Sequence, residues 1–297
     1  MNREKLFGEL LERLSRDLVL LPDKPEETPE ATLRALWMLA AGEPLSVVAA
    51  MERELPPLDQ AQQQALMASV QQRLDGVPLA HISGRQSFLG MELLAGPEAL
   101  IPRKETELLA SSAIEILRGR ETEEARVVDV CTGAGNVALA IARAVPHARI
   151  HASDLSVEAV ELARKNTEMH GLSDRVALYT GDLLEPFRTL GLEGQVDMIT
   201  CNPPYISSAK VPTMASEISE HEPEMAFNGG AFGINLMRRL IAEAPDFLCS
   251  GGYLVFEVGL GQGPAMKKQV EKLPGYGEVY TVDDARGDAR VVVARLD

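Results

Sequence analysis

The strongest constraint on the fold is an alternation of short apolar runs with helical patterns that begins near Arg126. Each run is β-branched or apolar and is bounded by turn residues, which is typical of buried strands. Strands that alternate with helices pair in parallel and carry the helices on both faces, so the pattern predicts an α/β sheet. The five runs are ARVVDVC, ARIHASD, RVALYTGD, VDMITCN and GGYLVFEVG.

Two more apolar runs close the chain, GEVYTVDD and ARVVVARLD, with only a tight ARG link between them. Strands this close together pair antiparallel, because a parallel pair needs a long crossover connection. The sequence therefore predicts a mostly parallel sheet that ends in a C-terminal antiparallel hairpin. Ordinary nucleotide-binding sheets usually end otherwise, so the hairpin narrows the fold class.

The first part of the chain has a different sequence pattern, with leucines at helical spacing and no cluster of titratable residues. Thr28 followed by Pro29 is typical of an N-cap and a first helical position. We expect a small helical domain over residues 1–80 that holds a macromolecular partner. A connecting hairpin and helix over 81–125 and the α/β domain over 126–297 complete the predicted organisation.

Composition argues against several classes of protein. The net charge is −15, whereas a surface that binds nucleic acid is normally basic in at least one stripe. No apolar run reaches the ~20 residues that span a bilayer, and charges occupy the N-terminal stretch where a signal peptide is apolar. Three scattered cysteines fit a reducing cytoplasm, and five scattered histidines without ligand spacing predict no metal site.

A glycine loop follows the first run of the α/β region. Gly133 and Gly135 allow a tight turn and leave room for a ligand against the backbone. The segment GAGNVA satisfies the dinucleotide pattern G-x-G-x-x-A, and Asp154 ends the next strand. Taken alone, this pattern leaves open an NAD-dependent oxidoreductase or a plain glycine turn that opens a core helix.

Acidic residues move the prediction from a dinucleotide to S-adenosylmethionine (AdoMet). Asp129 lies in the strand before the loop, where a carboxylate attracts a cationic ligand group and repels a pyrophosphate. Asp154 is placed to accept hydrogen bonds from ribose hydroxyls. Asp182 ends the third strand and is expected to face an adenine amine, with Leu183 packed on the ring. Three acids thus align along the carboxyl edge of the sheet, where such sheets bind ligands.

The fourth run stops at Asn202-Pro203-Pro204-Tyr205, where two prolines end the strand and stiffen the chain. The Asn202 side-chain oxygen and the Pro203 carbonyl can accept both protons of one planar –NH2 group. Tyr205 offers a flat face to a planar substrate. We predict that this preorganised pair of acceptors aims a nitrogen at the donor methyl group, so that positioning supplies much of the rate without a nucleophilic residue.

An Asn-Pro-Pro-Tyr loop after the fourth strand resembles that of amino-methyltransferases that act on planar nitrogens. The rest of the chain resembles the release-factor protein-(glutamine-N5) methyltransferase family over nearly its whole length. The segments that carry this resemblance, in the family's order, are PLAHISGRQSFLGMELLAGPEALIPRKETELL, NPPYI, HEPEMAFNGG and GGYLVFEVGLGQG.

The resemblance implies a class I methyltransferase that uses AdoMet to methylate the side-chain amide of the Gln in the Gly-Gly-Gln loop of peptide chain release factors. The expected catalytic residues are Asn202 and Pro203, which hold the amide, and Tyr205, which packs on it. Expected cofactor contacts are Asp129, Thr132, Gly133, Gly135, Asn136, Asp154, Leu155, Asp182, Leu183 and Asn202. Expected substrate contacts are Phe88, Arg103, Glu107, Pro204 and Tyr205.

Two departures from the family pattern are visible. Lys104 stands where the family usually has proline, and the loop reads Cys131-Thr132-Gly133-Ala134-Gly135-Asn136 instead of beginning Gly-Thr-Gly. Other acceptors therefore stay open: a small molecule, another protein, or adenine in a nucleic acid, against which the acidic balance argues. A non-catalytic AdoMet-binding module would tolerate Asn202→Ala, whereas an enzyme would not. We expect a monomer.

Overall fold

The computed structural model describes residues 3–230 and 233–297. The helices are α1 (Arg3–Asp17), α2 (Pro29–Ala40), α3 (Val47–Met51), α4 (Gln60–Leu74), α5 (Leu79–Ser83), α6 (Thr106–Arg118), α7 (Asn136–Ala144), α8 (Val157–Met169), α9 (Glu185–Arg188), α10 (Ser216–Ser219), α11 (Asn235–Phe247) and α12 (Gly263–Val270). The strands are β1 (Arg85–Phe88), β2 (Met91–Leu94), β3 (Ala125–Val130), β4 (Ala148–Asp154), β5 (Val176–Thr180), β6 (Val196–Cys201), β7 (Leu248–Glu257), β8 (Tyr276–Asp283) and β9 (Ala289–Leu296). Within the described ranges, no helix has both the length and the apolar character needed to cross a membrane.

The chain forms two compact units. The first contains the described residues up to Arg103 together with Met214–Glu222, and the second contains Lys104–Thr213 and the described residues from Pro223 onward. The first unit is therefore built from two stretches of chain that are far apart in sequence. The domain boundaries at residues 80 and 125, which the sequence pattern indicates, stay a prediction.

Capped helices around an apolar core build the first unit. The Thr28 side chain accepts a hydrogen bond from the backbone N–H of Ala31 at the start of α2, and Pro29 follows as predicted. Asp59 and Gln62 form a capping box at the start of α4, which satisfies two backbone donors that the helix itself leaves free. Trp37, the only tryptophan of the sequence, is 1% exposed in the core of this unit.

Four charged side chains are buried inside the first unit. Arg73 pairs with Glu27 at 2.9 Å and with Glu217 at 2.7 Å, and Lys24 pairs with Glu217. Glu217 lies on α10, so it reaches these partners from the second stretch of chain. The group contains two cations and two carboxylates. Because these side chains are buried away from water, they neutralise one another's charge. We call these four residues the buried charge cluster.

A seven-stranded sheet in the order β5-β4-β3-β6-β7-β9-β8 forms the centre of the second unit. The strands from β5 to β7 are parallel, and β9 pairs antiparallel with both β7 and β8. This confirms the predicted α/β class, the mostly parallel sheet and the terminal hairpin.

The chain reverses its direction of travel across the sheet between β3 and β6, which are adjacent. Their register sets Asp129 opposite Thr200 and Val130 opposite Cys201. Open α/β sheets bind ligands outside the carboxyl ends of the strands at such a switch point. The fold therefore brings the glycine loop after β3 and the Asn-Pro-Pro-Tyr segment after β6 to the same edge.

Candidate active site

The glycine loop joins β3 to α7 with three residues in the left-handed region: Cys131 at φ +56°, Gly133 at +54° and Gly135 at +82°. A Cβ atom on Gly135 would lie 3.2 Å from Cβ of Ala163 on α8, so this position suits glycine both for conformation and for space. Asn166 Nδ2 donates a hydrogen bond to the Ala134 carbonyl at 3.0 Å. The loop is thus fixed from α8, and within residues 131–135 only Cys131 and Gly133 are partly exposed.

Asp129 lies beneath this loop and is 1% exposed. The hydroxyls of Thr132 and Thr200 donate to its two oxygens, each at 2.6 Å. Burial raises the pKa of Asp129 to about 6, although both hydrogen bonds oppose the rise. In the structure the carboxyl therefore braces the loop and β6, and its expected contact with a cationic ligand group stays a prediction.

Asp154 ends β4 beside the glycine loop. Its Oδ2 accepts a hydrogen bond from the backbone N–H of Gly133 at 2.8 Å, and its Oδ1 accepts one from Ser156 N–H at 3.0 Å. Burial raises the pKa of this carboxyl, and the backbone donors oppose the rise. The next residue, Leu155, is 57% exposed, and Val157 is 63% exposed. A carboxylate beside uncovered apolar side chains suits a ligand that joins a diol to a flat apolar ring.

The third predicted acid has a different environment. Asp182 accepts hydrogen bonds from Nη1 of Arg239 at 3.0 and 3.3 Å, in a partly exposed ion pair. Leu183 has φ +48°, and its side chain lies in the core cluster of this unit with 4% exposure. Packing of Leu183 on an adenine ring would require the side chain to leave that core, so its role toward a ligand stays a prediction.

Asn202 follows the last residue of β6, and its Nδ2 donates a hydrogen bond to Oγ1 of Thr106 at 3.0 Å. Thr106 is the first residue of α6 and is 1% exposed. Among the described residues, none donates a hydrogen bond to Oδ1 of Asn202 or to the Pro203 carbonyl. These two acceptors are therefore not engaged by the described part of the chain.

Tyr205 is held by groups at the ends of β7 and β9. Its hydroxyl donates to Oε1 of Glu257 at 3.0 Å, and Nη2 of Arg290 lies 3.5 Å from the same hydroxyl. Burial, followed by the Glu257 charge, raises the pKa of the phenol far above its ordinary value. Glu257 is 1% exposed and lies 3.7 Å from Arg290, and burial also raises the pKa of this carboxyl.

Two glycines press against the backbone of the Asn-Pro-Pro-Tyr loop. A Cβ on Gly229 would lie 2.4 Å from the Pro204 carbonyl oxygen, and one on Gly233 would lie 2.1 Å from that of Tyr205. Backbone hydrogen bonds from Ile206 to Phe227 at 3.0 Å, and from Gly229 to Ile206 at 2.7 Å, close the contact. The loop is thus backed by a second segment of chain that only glycine allows to approach.

The predicted substrate contacts are divided between the units. Phe88, at the end of β1, is fully buried in the first unit. Arg103, also in the first unit, pairs with Glu222 and lies 3.9 Å from Asp23. Glu107 lies in the second unit on α6, where it pairs with Lys104 at 2.5 Å. Their roles toward a substrate stay predictions.

Sequence reasoning missed four residues of this site. Thr106, Thr200, Glu257 and Arg290 all contact a residue that it singled out. Glu257 ends a predicted strand, so the rule that selected Asp154 and Asp182 would also have found it. Thr200 lies opposite Asp129 in register, which only the pairing of β3 with β6 reveals.

The fold and the site together define a class I methyltransferase. The features that do so are the glycine loop at the switch point, the acids at the strand ends, the terminal antiparallel hairpin and the Asn-Pro-Pro-Tyr loop. The model of the family described as "Methyltransferase small domain" matches residues 106–234. A solved methyltransferase from Pyrococcus furiosus, 20% identical with a TM-score of 0.50 over 70% of this chain and 90% of that one, shows the same fold.

Two curated relatives define the group within this class. A release factor glutamine methyltransferase from Geobacter sulfurreducens is 34% identical over 266 residues, which cover 90% of each chain. One from Moorella thermoacetica is 32% identical over 294 residues, 99% of this chain and 98% of the relative. The chain belongs to the release factor glutamine methyltransferase family, and its class implies AdoMet as the methyl donor.

Proposed function

We propose that the protein methylates the side-chain amide nitrogen of the Gln in the Gly-Gly-Gln loop of a peptide chain release factor. The observation that carries this is the pair of free acceptors, Oδ1 of Asn202 and the Pro203 carbonyl, on a loop that Gly229 and Gly233 back. A planar –NH2 group has two protons to donate and fits two acceptors. The names of the relatives supply the identity of the acceptor protein.

The residues at the sheet edge fit AdoMet. Asp154 presents a carboxylate beside the exposed Leu155, which suits a ribose diol attached to an adenine ring. Asp129 and Asp154 place negative charge at the loop, which favours a cationic ligand over a pyrophosphate. AdoMet would supply an electrophilic methyl group at this edge. Thr132, Gly133, Gly135 and Asn136 would line the backbone turn that holds it.

Methyl transfer then needs positioning rather than a nucleophilic side chain. Asn202 and Pro203 hold the two amide protons, so the nitrogen lone pair is directed at the methyl carbon. Of the two amide protons that Asn202 and Pro203 would hold, one would pass to water once the nitrogen takes up the methyl group that bound AdoMet would supply. Tyr205, whose hydroxyl is fixed by Glu257, would pack on the plane of the amide. Residues 1–80 would hold the release factor outside its Gly-Gly-Gln loop.

Mass spectrometry of a purified release factor after incubation with the enzyme and AdoMet tests the function. We expect one added methyl group on the Gln of the Gly-Gly-Gln loop, and loss of this product with Asn202→Ala. The control is Gln195→Ala, which removes an exposed amide just before β6, at the opposite end of that strand. An unmodified release factor in the presence of bound AdoMet would overturn the proposed acceptor.

A further inference from the structure

The segment GGYLVFEVGLGQG carries part of the family resemblance, but its last residues have no role in the chemistry above. The segment runs through the end of β7, at Glu257, to the first residue of α12. Two residues of the turn between these elements, Gly259 and Gln262, lie against Tyr205 of the Asn-Pro-Pro-Tyr loop. The turn is therefore connected to the loop that is expected to hold the substrate.

Gln262 ties the backbone of Tyr205 to this turn. Its Nε2 donates a hydrogen bond to the Tyr205 carbonyl at 3.1 Å, and its Oε1 accepts one from the backbone N–H of Gly259 at 2.8 Å. An amide has a donating end and an accepting end, so a flipped Gln262 would set donor against donor and acceptor against acceptor. The backbone N–H of Gln262 also donates to the Gly259 carbonyl at 2.9 Å, which closes the turn.

Gly259 packs against one edge of the Tyr205 ring. A Cβ atom at this position would lie 3.0 Å from Cδ2 of the ring and 2.9 Å from Oε1 of Gln262. Carbon atoms pack best at about 3.5–4.0 Å, so any side chain here would push the ring aside. Glycine thus allows the backbone of the turn to cover this edge of the ring.

The hydroxyl contact of Tyr205 does little by itself to fix the plane of the ring. The hydroxyl oxygen lies on the axis about which the ring rotates, so its 3.0 Å bond to Glu257 holds one end of the ring and leaves this rotation free. The torsion concerned is broad in tyrosine. The Gly259 contact lies off the axis, and Gln262 fixes the backbone from which the axis starts. Together the three contacts set both the position and the plane of the ring.

We propose that Gln262 and Gly259 are positioning residues that, together with the Glu257 bond, hold the Tyr205 ring in the plane on which the substrate amide packs. We call Glu257, Gly259 and Gln262 the tyrosine clamp. Tyr205 is only half-buried, so part of the ring stays open beside the clamp. A ring that is already ordered loses less entropy when a flat group packs on it. The identity of that flat group rests on the proposed function, whereas the clamp is a property of this chain.

Steady-state kinetics with matched variants test the tyrosine clamp. Gln262→Ala removes both side-chain hydrogen bonds, and Gly259→Ala adds a methyl group that would displace the ring edge. We expect each to lower kcat about 10- to 100-fold, the scale on which misplacement of a substrate-positioning group acts, and to leave the Kd for AdoMet unchanged in calorimetry. The control Gln269→Ala removes a glutamine of α12 that contacts Arg238 and should keep wild-type activity. Wild-type kcat in both clamp variants would overturn the proposal.

A double-mutant cycle separates placement of the ring from general support of the loop. In Tyr205→Leu the ring is absent, while Gln262 can still donate to the carbonyl of residue 205. If Gln262 acts through the ring, adding Gln262→Ala to Tyr205→Leu should change the rate by no more than about twofold. Single-turnover assays with enzyme in excess keep these slow variants measurable. A further loss as large as that in the wild-type background would mean that Gln262 supports only the backbone, and the clamp would be wrong.

Relaxation of 13C-labelled tyrosine rings, measured by nuclear magnetic resonance, tests the clamp without any substrate. The resonances of Tyr205 are assigned by their loss in Tyr205→Leu. The order parameter of this ring should fall in Gln262→Ala, because the turn that covers its edge is released, and should keep its wild-type value in Gln269→Ala. An unchanged order parameter in Gln262→Ala would mean that the ring is held without Gln262, which contradicts the proposal.

The two kinds of measurement let the clamp and the proposed function fail separately. If the wild-type enzyme does not methylate the release factor, the proposed function is wrong, and the ring relaxation decides the clamp. If the wild type is active and Gln262→Ala matches it in both rate and ring order, the proposed function stands and the clamp is wrong.

Discussion

Arg73 and Glu217 stand 144 residues apart in sequence and form a buried ion pair with 2.7 Å between Nη1 and Oε2. Glu217 also forms an ion pair with Lys24, so one carboxylate is paired with two cations. The negative group arrives on a nine-residue stretch, Met214–Glu222, that belongs to the first unit although most of its surrounding chain does not.

Glu217→Gln should destabilise the first unit by about 3–5 kcal/mol, because it leaves two buried cations with only Glu27. Urea unfolding followed by fluorescence measures this directly, since Trp37 is the only tryptophan and lies in that core. The control Glu220→Gln changes an exposed acid three residues later and should cost less than about 0.5 kcal/mol. Equal urea midpoints for the two variants would contradict the role of the cluster.

Gly233→Ala should reduce kcat about 100-fold, because its Cβ would lie 2.1 Å from the Tyr205 carbonyl oxygen and would displace the Asn-Pro-Pro-Tyr loop. Gly191→Ala is a matched control. Both glycines have φ +66°, but a Cβ on Gly191 meets nothing within 4 Å. Steady-state methylation assays compare the two variants. The close packing has no catalytic consequence if both lose activity equally.

Asp154→Asn should raise the Kd for AdoMet about 10- to 100-fold, since hydrogen bonds to a charged group contribute about 1.5–3 kcal/mol. The carboxylate already accepts from Gly133 N–H through Oδ2, and the amide variant keeps only one accepting oxygen. Calorimetry with AdoMet measures the change, and the exposed Asp174→Asn serves as the control. An unchanged Kd would remove Asp154 from the predicted cofactor contacts.

The contribution of Asp129 to the stability of the second unit should decrease as the pH rises from about 4 through about 6. Burial raises the pKa of Asp129 from its ordinary 3.8 to about 6, so the folded state binds this proton more tightly than the unfolded state does. The difference corresponds to about 3 kcal/mol, which is lost as the pH rises through about 6. Urea unfolding of the wild type and of Asp129→Asn across this range should show that the amide variant lacks this component. Parallel pH profiles would contradict it.

Much of the fold could be predicted because its signals are local. The strand runs and the close spacing of the last two runs fix the strand class, the parallel pairing and the hairpin. The glycine loop and the Asn-Pro-Pro-Tyr loop could be predicted for the same reason, since each is a contiguous stretch of sequence. Thr106, Glu257 and Arg290 were not, because their contact with Tyr205 or Asn202 exists only after α6, β7 and β9 assemble around one edge.

Leu183 shows a second kind of limit. Its position just after Asp182 suggests a ring contact, but a positive φ turns its side chain into the core. Backbone conformation at a single non-glycine residue of this kind is set by the packing around it, which no local pattern encodes.

The split origin of the first unit has a consequence for synthesis. The first hundred residues contain Lys24, Glu27 and Arg73 but not Glu217, so a first unit that folded at that stage of synthesis would bury two cations with one carboxylate. The stretch that completes the unit, Met214–Glu222, follows the Asn-Pro-Pro-Tyr loop in the chain. A fragment cut after Arg103 would lack Glu217, because the first unit is not encoded as a single contiguous piece of chain.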